Sequence, residues 1–176
     1  GYIGYRRASY IIINWLKRLE YRGYDSSGIA LILNGKLEVR RTVGGIDNLT
    51  QLLKQSPLNG NVGIGHTRWA THGSPTNANA HPHSDCDDSL VVVHNGIVEN
   101  FLDLRKELES QGHVFSSQTD SECIPHLIES YLKQDMPLAD AVRTTAGKIK
   151  GAPPDVDAST QEPARLIAFR LANPRG

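Results

Sequence analysis

The string His66-Thr67-Arg68-Trp69-Ala70-Thr71-His72-Gly73 places a cation, two hydroxyls, two imidazoles and an indole between small residues. A planar guanidinium holds a carboxylate through two parallel hydrogen bonds, and Thr71 and His72 add donors beside it. That mixture suits a loop closing over a small zwitterion and suits an apolar core poorly. Taken alone, Arg68 reads better as a surface residue paired with a local acid. Arg, Trp, Thr and His within five residues favour the site reading.

Asn95-Gly96, after the apolar run Val91-Val92-Val93, has two readings. One is a tight turn, the common outcome for this dipeptide. The other is an oxyanion hole, in which the Asn amide and an unshielded Gly N–H stabilise the oxygen of an attacked amide carbonyl. Asp120 follows Thr119 at the start of a helical pattern, where it could cap the helix or accept a ligand ammonium group. In the second case Arg68 and Asp120 would grip opposite ends of one amino acid. His81-Pro82-His83 with Asp85 and Cys86 matches no zinc spacing well, so it reads as a polar loop and no metal site is assigned. Cys123, three residues before His126, reads as a buried structural thiol.

The elements that must position these residues follow from periodicity. Ala8 to Tyr21 predicts a helix, with Ser9 as its cap and Ile12, Trp15, Leu16 and Leu19 at helical spacing; Gly23 stops it. Asn34-Gly35 between Ile29–Leu33 and Leu37–Arg41 predicts a hairpin, because both turn positions tolerate positive φ. Ile46 to Lys54 predicts a short helix, and Asn61–His66 and Leu90–His94 predict buried strands. The polar loop between them, Thr67 to Ser89, carries most of the unusual chemistry. Three more helices are expected over Glu99–Gln111, Ser121–Leu132 and Leu138–Ile149. Gly151 to Pro163, rich in Pro, Asp, Ser and Thr, reads as a linker or a disordered turn, and Leu166–Leu171 could form a last strand. Hairpins and clustered helices together predict a layered α+β domain.

Composition narrows the function. The 176 residues carry 19 basic and 19 acidic side chains, so non-specific nucleic-acid binding has little electrostatic support. No stretch approaches the ~20 apolar residues of a membrane span, and no leader opens the chain. Two cysteines do not make a disulfide scaffold, and the expected setting is cytoplasmic.

The strings Tyr21-Arg22-Gly23-Tyr24-Asp25-Ser26-Ser27-Gly28, Thr67 to Gly73 and His94-Asn95-Gly96 together resemble the glutaminase domain of glucosamine-6-phosphate synthase, or glutamine–fructose-6-phosphate aminotransferase. The resemblance runs from Gly1 to about Lys150. It implies a four-layer α/β/β/α sandwich of the N-terminal-nucleophile hydrolase type, with residues 1–150 as the glutaminase domain and 151–176 as an altered tail. In that family an N-terminal cysteine thiol attacks the glutamine side-chain amide, its own α-amine acting as base. The resemblance assigns the glutamine α-carboxylate to Arg68 with Thr71 and His72, the α-ammonium to Asp120, and the oxyanion hole to Asn95 and Gly96. It makes Trp69 part of the closing loop and Arg22 a residue ordering the site. No cofactor is implied. The partners implied are glutamine, a C-terminal isomerase domain that receives the ammonia, and further copies in a homo-oligomer.

The family pattern places four residues, Cys-Gly-Ile-Phe, ahead of the position of Gly1. The chain as written is therefore expected to bind glutamine without turning it over, either as a fragment of a glutaminase or as an inert glutamine-binding regulatory module. Pro125 interrupts a segment that is helical in relatives, and inside a helix it would cost ~3 kcal/mol or kink it. Pro153-Pro154 falls where relatives have a core strand, and Trp15 replaces a residue that is usually small.

Overall fold

The computed structural model describes residues 1–19, 21, 23–70, 72–151, 156–159 and 166–167. Arg22, Thr71, Pro153 and Pro154 lie outside the described residues. The chain opens with β1 (Tyr2–Ile3) and α1 (Ala8–Lys17), followed by the hairpin β2 (Ser26–Leu33) and β3 (Lys36–Val43). Next come α2 (Ile46–Gln55), β4 (Val62–Arg68), β5 (His83–Ser84) and β6 (Leu90–Val93). Helices α3 (Phe101–Ser110), α4 (Cys123–Leu132) and α5 (Leu138–Lys148) precede the strands β7 (Val156–Ser159) and β8 (Leu166–Ile167).

The strands form two antiparallel sheets, in the orders β1-β4-β2-β3 and β5-β6-β7-β8. The hairpin forms as its turn chemistry requires, with Asn34 at φ +50° and Gly35 at φ +76°. The alternation of side chains along each strand sorts the layers. On β2, Ile29 and Leu31 pack with Ile12 and Leu16 of α1 and Ile46 and Leu49 of α2. Ala30, between them, faces the other way and meets Ile64, Val91 and Val93. On β6, Val91 and Val93 point into that middle layer, while Leu90 and Val92 join Leu104, Leu127, Ile128 and Val142 of the other helices. Helices thus cover the outer face of each sheet, and the inner faces meet: an α/β/β/α sandwich. Being covered on both sides, β2 and β6 read as continuous apolar runs rather than alternating ones.

Several local expectations are corrected. Ser9 does not cap α1; it lies inside the helix and its hydroxyl donates to the Leu58 carbonyl at 3.0 Å. Pro125 does not kink α4. It is the third residue of that helix, in the first turn, where a missing N–H breaks no helical hydrogen bond. Along α3, Leu104 and Leu108 are buried and Leu102 is exposed. The stretch expected as a linker contains β7, which pairs with β6 from Leu90↔Ser159 to Val93↔Val156. Trp15 is accommodated at the surface, with its ring edge-on to Tyr2 at 5.9 Å.

Thr67 to Ser89 is not a solvated loop: Asn79, His81, His83 and Asp85 are buried within it. Gly28 shows how closely it packs. A Cβ there would overlap the His81 carbonyl oxygen, so only glycine lets this segment lie against β2.

Candidate functional site

A cavity of about 610 Å³ opens where β4 ends. Its walls are Gly65 to Trp69, the segment His94 to Ile97 after β6, and Asp120 with Ser121. Arg68 is the last residue of β4 rather than lying past a strand that ends at His66, so the strand itself aims the side chain. Only 5% of Arg68 is exposed. Its Nη2 donates to the carbonyls of His72 and, at 3.4 Å, Gly73. Its Nη1 is buried with no hydrogen-bond partner. Burial lowers the guanidinium pKa, against the opposing pull of Asp25 and Asp120. A buried guanidinium nitrogen left without an acceptor is costly unless a ligand supplies one, and a carboxylate is the matching acceptor.

Asp120 starts a 3₁₀ turn, Asp120–Glu122, rather than capping a helix. Its Oδ2 accepts the Val98 backbone N–H at 2.7 Å, which binds the Asn95–Val98 segment to the turn. Ser121 donates to Oδ1 at a long 3.5 Å, and its hydroxyl also lies 3.0 Å from His94 Nδ1. Asn95-Gly96 is not the left-handed turn that the dipeptide often makes, since neither residue has positive φ. Both line the cavity on the wall that also carries His94.

The indole of Trp69 is 69% exposed at the cavity rim. Gly23, at φ +71°, lies beneath it: a Cβ at Gly23 would come within 2.9 Å of the ring. His72 turns its ring edge-on to Phe101 at 5.2 Å and offers its carbonyl, not its imidazole, to Arg68.

Residues 45–139, more than half of the chain, match the family described as the glutamine amidotransferase domain. The chain belongs to this family. The glutamine–fructose-6-phosphate aminotransferase (isomerizing) of Pyrococcus horikoshii is 51% identical over 174 residues, covering 99% of this chain and 29% of the relative. That of Gluconobacter oxydans is 51% identical over 153 residues, covering 86% and 25%. The chain thus spans under a third of the length of these curated relatives. Among solved structures, glutamine phosphoribosylpyrophosphate amidotransferase from B. subtilis, complexed with ADP and GMP, superposes with a TM-score of 0.75 at 29% identity. The match covers 90% of this chain and 34% of that one. The structure titled as the allosteric regulatory enzyme of purine biosynthesis gives 0.76 at 28% identity. The sandwich is the N-terminal-nucleophile type that the resemblance implied.

In this amidotransferase domain, neither cysteine lines the cavity. Cys123 is buried, its thiol pKa pushed up to about 12 by desolvation, and its Sγ lies 3.5 Å from the Phe101 carbonyl. Cys86 faces His113 and His126 instead.

Four supporting residues were not read as supports from sequence. Asp25 accepts the Ala70 N–H through Oδ2 at 2.6 Å, while its own backbone N–H donates to the Arg68 carbonyl at 2.9 Å. His66 and His81 both line the cavity, their rings 4.6 Å apart, and His81 continues to His83 at 4.5 Å. Asp25 lay inside a quoted motif and so was visible as a residue, though not as a support. The ladder histidines were visible singly, but polar spacing does not distinguish a buried stack from a solvated loop.

Proposed function

We propose that this chain is the glutamine-hydrolysing part of a larger enzyme, supplying ammonia for the synthesis of glucosamine 6-phosphate from fructose 6-phosphate. The observation that carries the reading is the unpartnered Nη1 of buried Arg68, in a cavity that also holds the Asp120 carboxylate. Arg68 takes the glutamine α-carboxylate and Asp120 its α-ammonium, so the side-chain amide points along the remaining wall. There Asn95 and the Gly96 N–H stabilise the oxyanion that forms when the amide carbonyl is attacked. Trp69 covers the bound amino acid. His72 holds Arg68 through its carbonyl, and Arg22 and Thr71 complete the site as the resemblance assigns them.

The register of β1 supports the placing of the nucleophile. Tyr2 pairs with Gly63 and Ile3 with Val62. Continued toward lower numbers, this register puts the residue before Gly1 opposite Gly65 and the fourth residue before it opposite Arg68. A Cys-Gly-Ile-Phe segment would therefore run along β4 and deliver its cysteine to the cavity. The thiol attacks the amide carbon, the α-amine takes the thiol proton and passes it to the departing ammonia, and water hydrolyses the thioester to glutamate.

The larger enzyme would carry an isomerase domain after the sheet that β7 and β8 complete, act in the cytoplasm and assemble as a homo-oligomer. No helix among the described residues is long and apolar enough to cross a membrane.

Calorimetric titration of L-glutamine into the 176-residue chain tests the binding half of this reading. One saturable site per chain is expected, competed by L-glutamate. Absence of any saturable heat or competition would overturn it.

A further inference from the structure

Away from the cavity, four side chains from three separate segments converge on one point. Cys86 comes from the turn between β5 and β6, His113 from the segment after α3, and His126 and Glu129 from one face of α4. One ligand atom from each lies within 4.8 Å of all the others. Cys86 Sγ is 3.7 Å from His113 Nδ1 and 3.5 Å from His126 Nδ1. Glu129 Oε2 is 2.9 Å from His113 Nδ1 and 3.4 Å from His126 Nδ1. The three histidine and carboxylate groups are buried, and the cysteine is exposed, which leaves an entry path.

We propose that Cys86, His113, His126 and Glu129 form a four-ligand tetrahedral site for a divalent transition ion, zinc above all. With metal–ligand bonds of ~2.0–2.3 Å, a tetrahedron has edges of about 3.3–3.8 Å. The edges at 3.4, 3.5 and 3.7 Å already have that length. The His113–Glu129 edge, at 2.9 Å, is short because those two atoms are hydrogen-bonded, and it would open by about half an ångström; the two remaining edges, His113–His126 and Cys86–Glu129, lie within 4.8 Å. A thiolate with two imidazoles and a carboxylate suits zinc and excludes magnesium and calcium, which take oxygen ligands. One thiolate and one carboxylate also neutralise the ion's two charges.

The surroundings fit the same reading. If His126 binds the ion through Nδ1, its Nε2 must carry the proton. That nitrogen is buried without a hydrogen-bond partner and lies 3.7 Å from Glu122 Oε1. A carboxylate behind a ligating histidine fixes its tautomer and orientation. Glu122 is held in turn by the N–H groups of Ser116 and Ser117, each at 2.7 Å. Glu129 divides its oxygens, Oε1 to Lys133 at 2.6 Å and Oε2 to the cluster. A thiol must lose its proton to bind the ion, so affinity falls as pH falls. Four protein ligands leave no open position, and none of the four lines the cavity, so the ion's role is structural: it fastens the Asp85–Ser89 turn to α4.

Zinc content and cobalt spectra of the untagged chain test this. After dialysis the folded chain should retain one zinc per chain, with an affinity at least 1000-fold above that of Cys86→Ser in chelator competition. Its cobalt form should show tetrahedral bands and a thiolate-to-cobalt charge-transfer band, and Cys86→Ser should lose the latter. Removing zinc present at a hundredfold excess over Kd should lower the thermal midpoint by roughly 5–10 °C. Folded wild-type chain that retains no stoichiometric zinc, or an octahedral cobalt spectrum without the thiolate band, would overturn the proposal. So would unchanged affinity in Cys86→Ser. None of these readouts depends on glutamine binding.

Discussion

The Asp25 carboxylate accepts the Ala70 backbone N–H at 2.6 Å, joining the segment before β2 to the segment after β4. The neighbouring Asp25 N–H to Arg68 carbonyl bond closes the same junction from the other side. Two strings of unusual residues some forty positions apart are therefore halves of one support, and Arg68 is aimed by both. Asp25→Ala should cost about 2 kcal/mol of stability, the usual worth of hydrogen bonds to a charged group. It should also weaken glutamine binding by about tenfold by freeing the Trp69–Ala70 segment. Urea denaturation and calorimetry measure the two effects separately; an unchanged affinity would deny Asp25 its positioning role.

Arg68→Ala should remove measurable glutamine binding, a loss of at least about a hundredfold, while the chain stays folded. Arg68→Lys should recover little of it, because an ammonium keeps the charge without the two-pronged donor geometry. Wild-type affinity in Arg68→Lys, read by the same titration, would show that charge alone suffices.

Asp120→Asn preserves an oxygen for the Val98 N–H and removes the negative charge. Glutamine affinity should fall by roughly ten- to a hundredfold. Affinity for the analogue lacking the α-amine should barely change. An equal fall for both ligands would mean that Asp120 shapes the 3₁₀ turn and does not meet the ammonium.

The histidine ladder sets an acid limit. Desolvation pulls His83 down to about 3 and His66 to about 4, and His81 lies well below its usual value. His81 Nδ1 also accepts the His94 N–H at 3.3 Å, which occupies its lone pair. Below pH ~6.5 the unfolded chain takes up protons that the folded chain refuses, so stability falls as pH drops. Around His83 the carboxylate of Glu122 favours charging, while Arg41, Arg68 and His66 oppose it. Each ring held neutral steepens the loss by about 1.4 kcal/mol per pH unit. For His83 the window closes near pH 3. His83→Gln should flatten urea-midpoint curves between pH 6 and 4; an unchanged slope would show that His83 charges freely in the folded state.

Sequence exposed whatever rests on local chemistry. Asn34-Gly35 announced its hairpin because two adjacent positive φ values are hard to satisfy otherwise. The spacing of Ile12 and Leu16 announced a helix whose buried face those residues form. Arg68, Asn95 and Asp120 were legible as chemistry, and the fold brings all three to one cavity. Pairing across long separations was not legible. Nothing local says that β6 takes β7 as its partner, or that Cys86 meets His113 and His126 rather than the histidines beside it. Ser9 failed as a cap because a distant carbonyl, Leu58, claimed its hydroxyl. Pro125 was misjudged by the point at which the helix begins, and that point depends on the buried turn at Asp120.

The most direct measurement is glutamate release from L-glutamine by the chain extended ahead of Gly1 with Cys-Gly-Ile-Phe and a free terminal amine. The same extension beginning with Ala serves as the control. The account predicts sustained turnover in the cysteine form, none in the alanine form, and loss of turnover when Arg68→Ala is added. A folded cysteine-extended chain that binds glutamine and releases no glutamate would contradict it, and would leave an inert glutamine-binding module in its place.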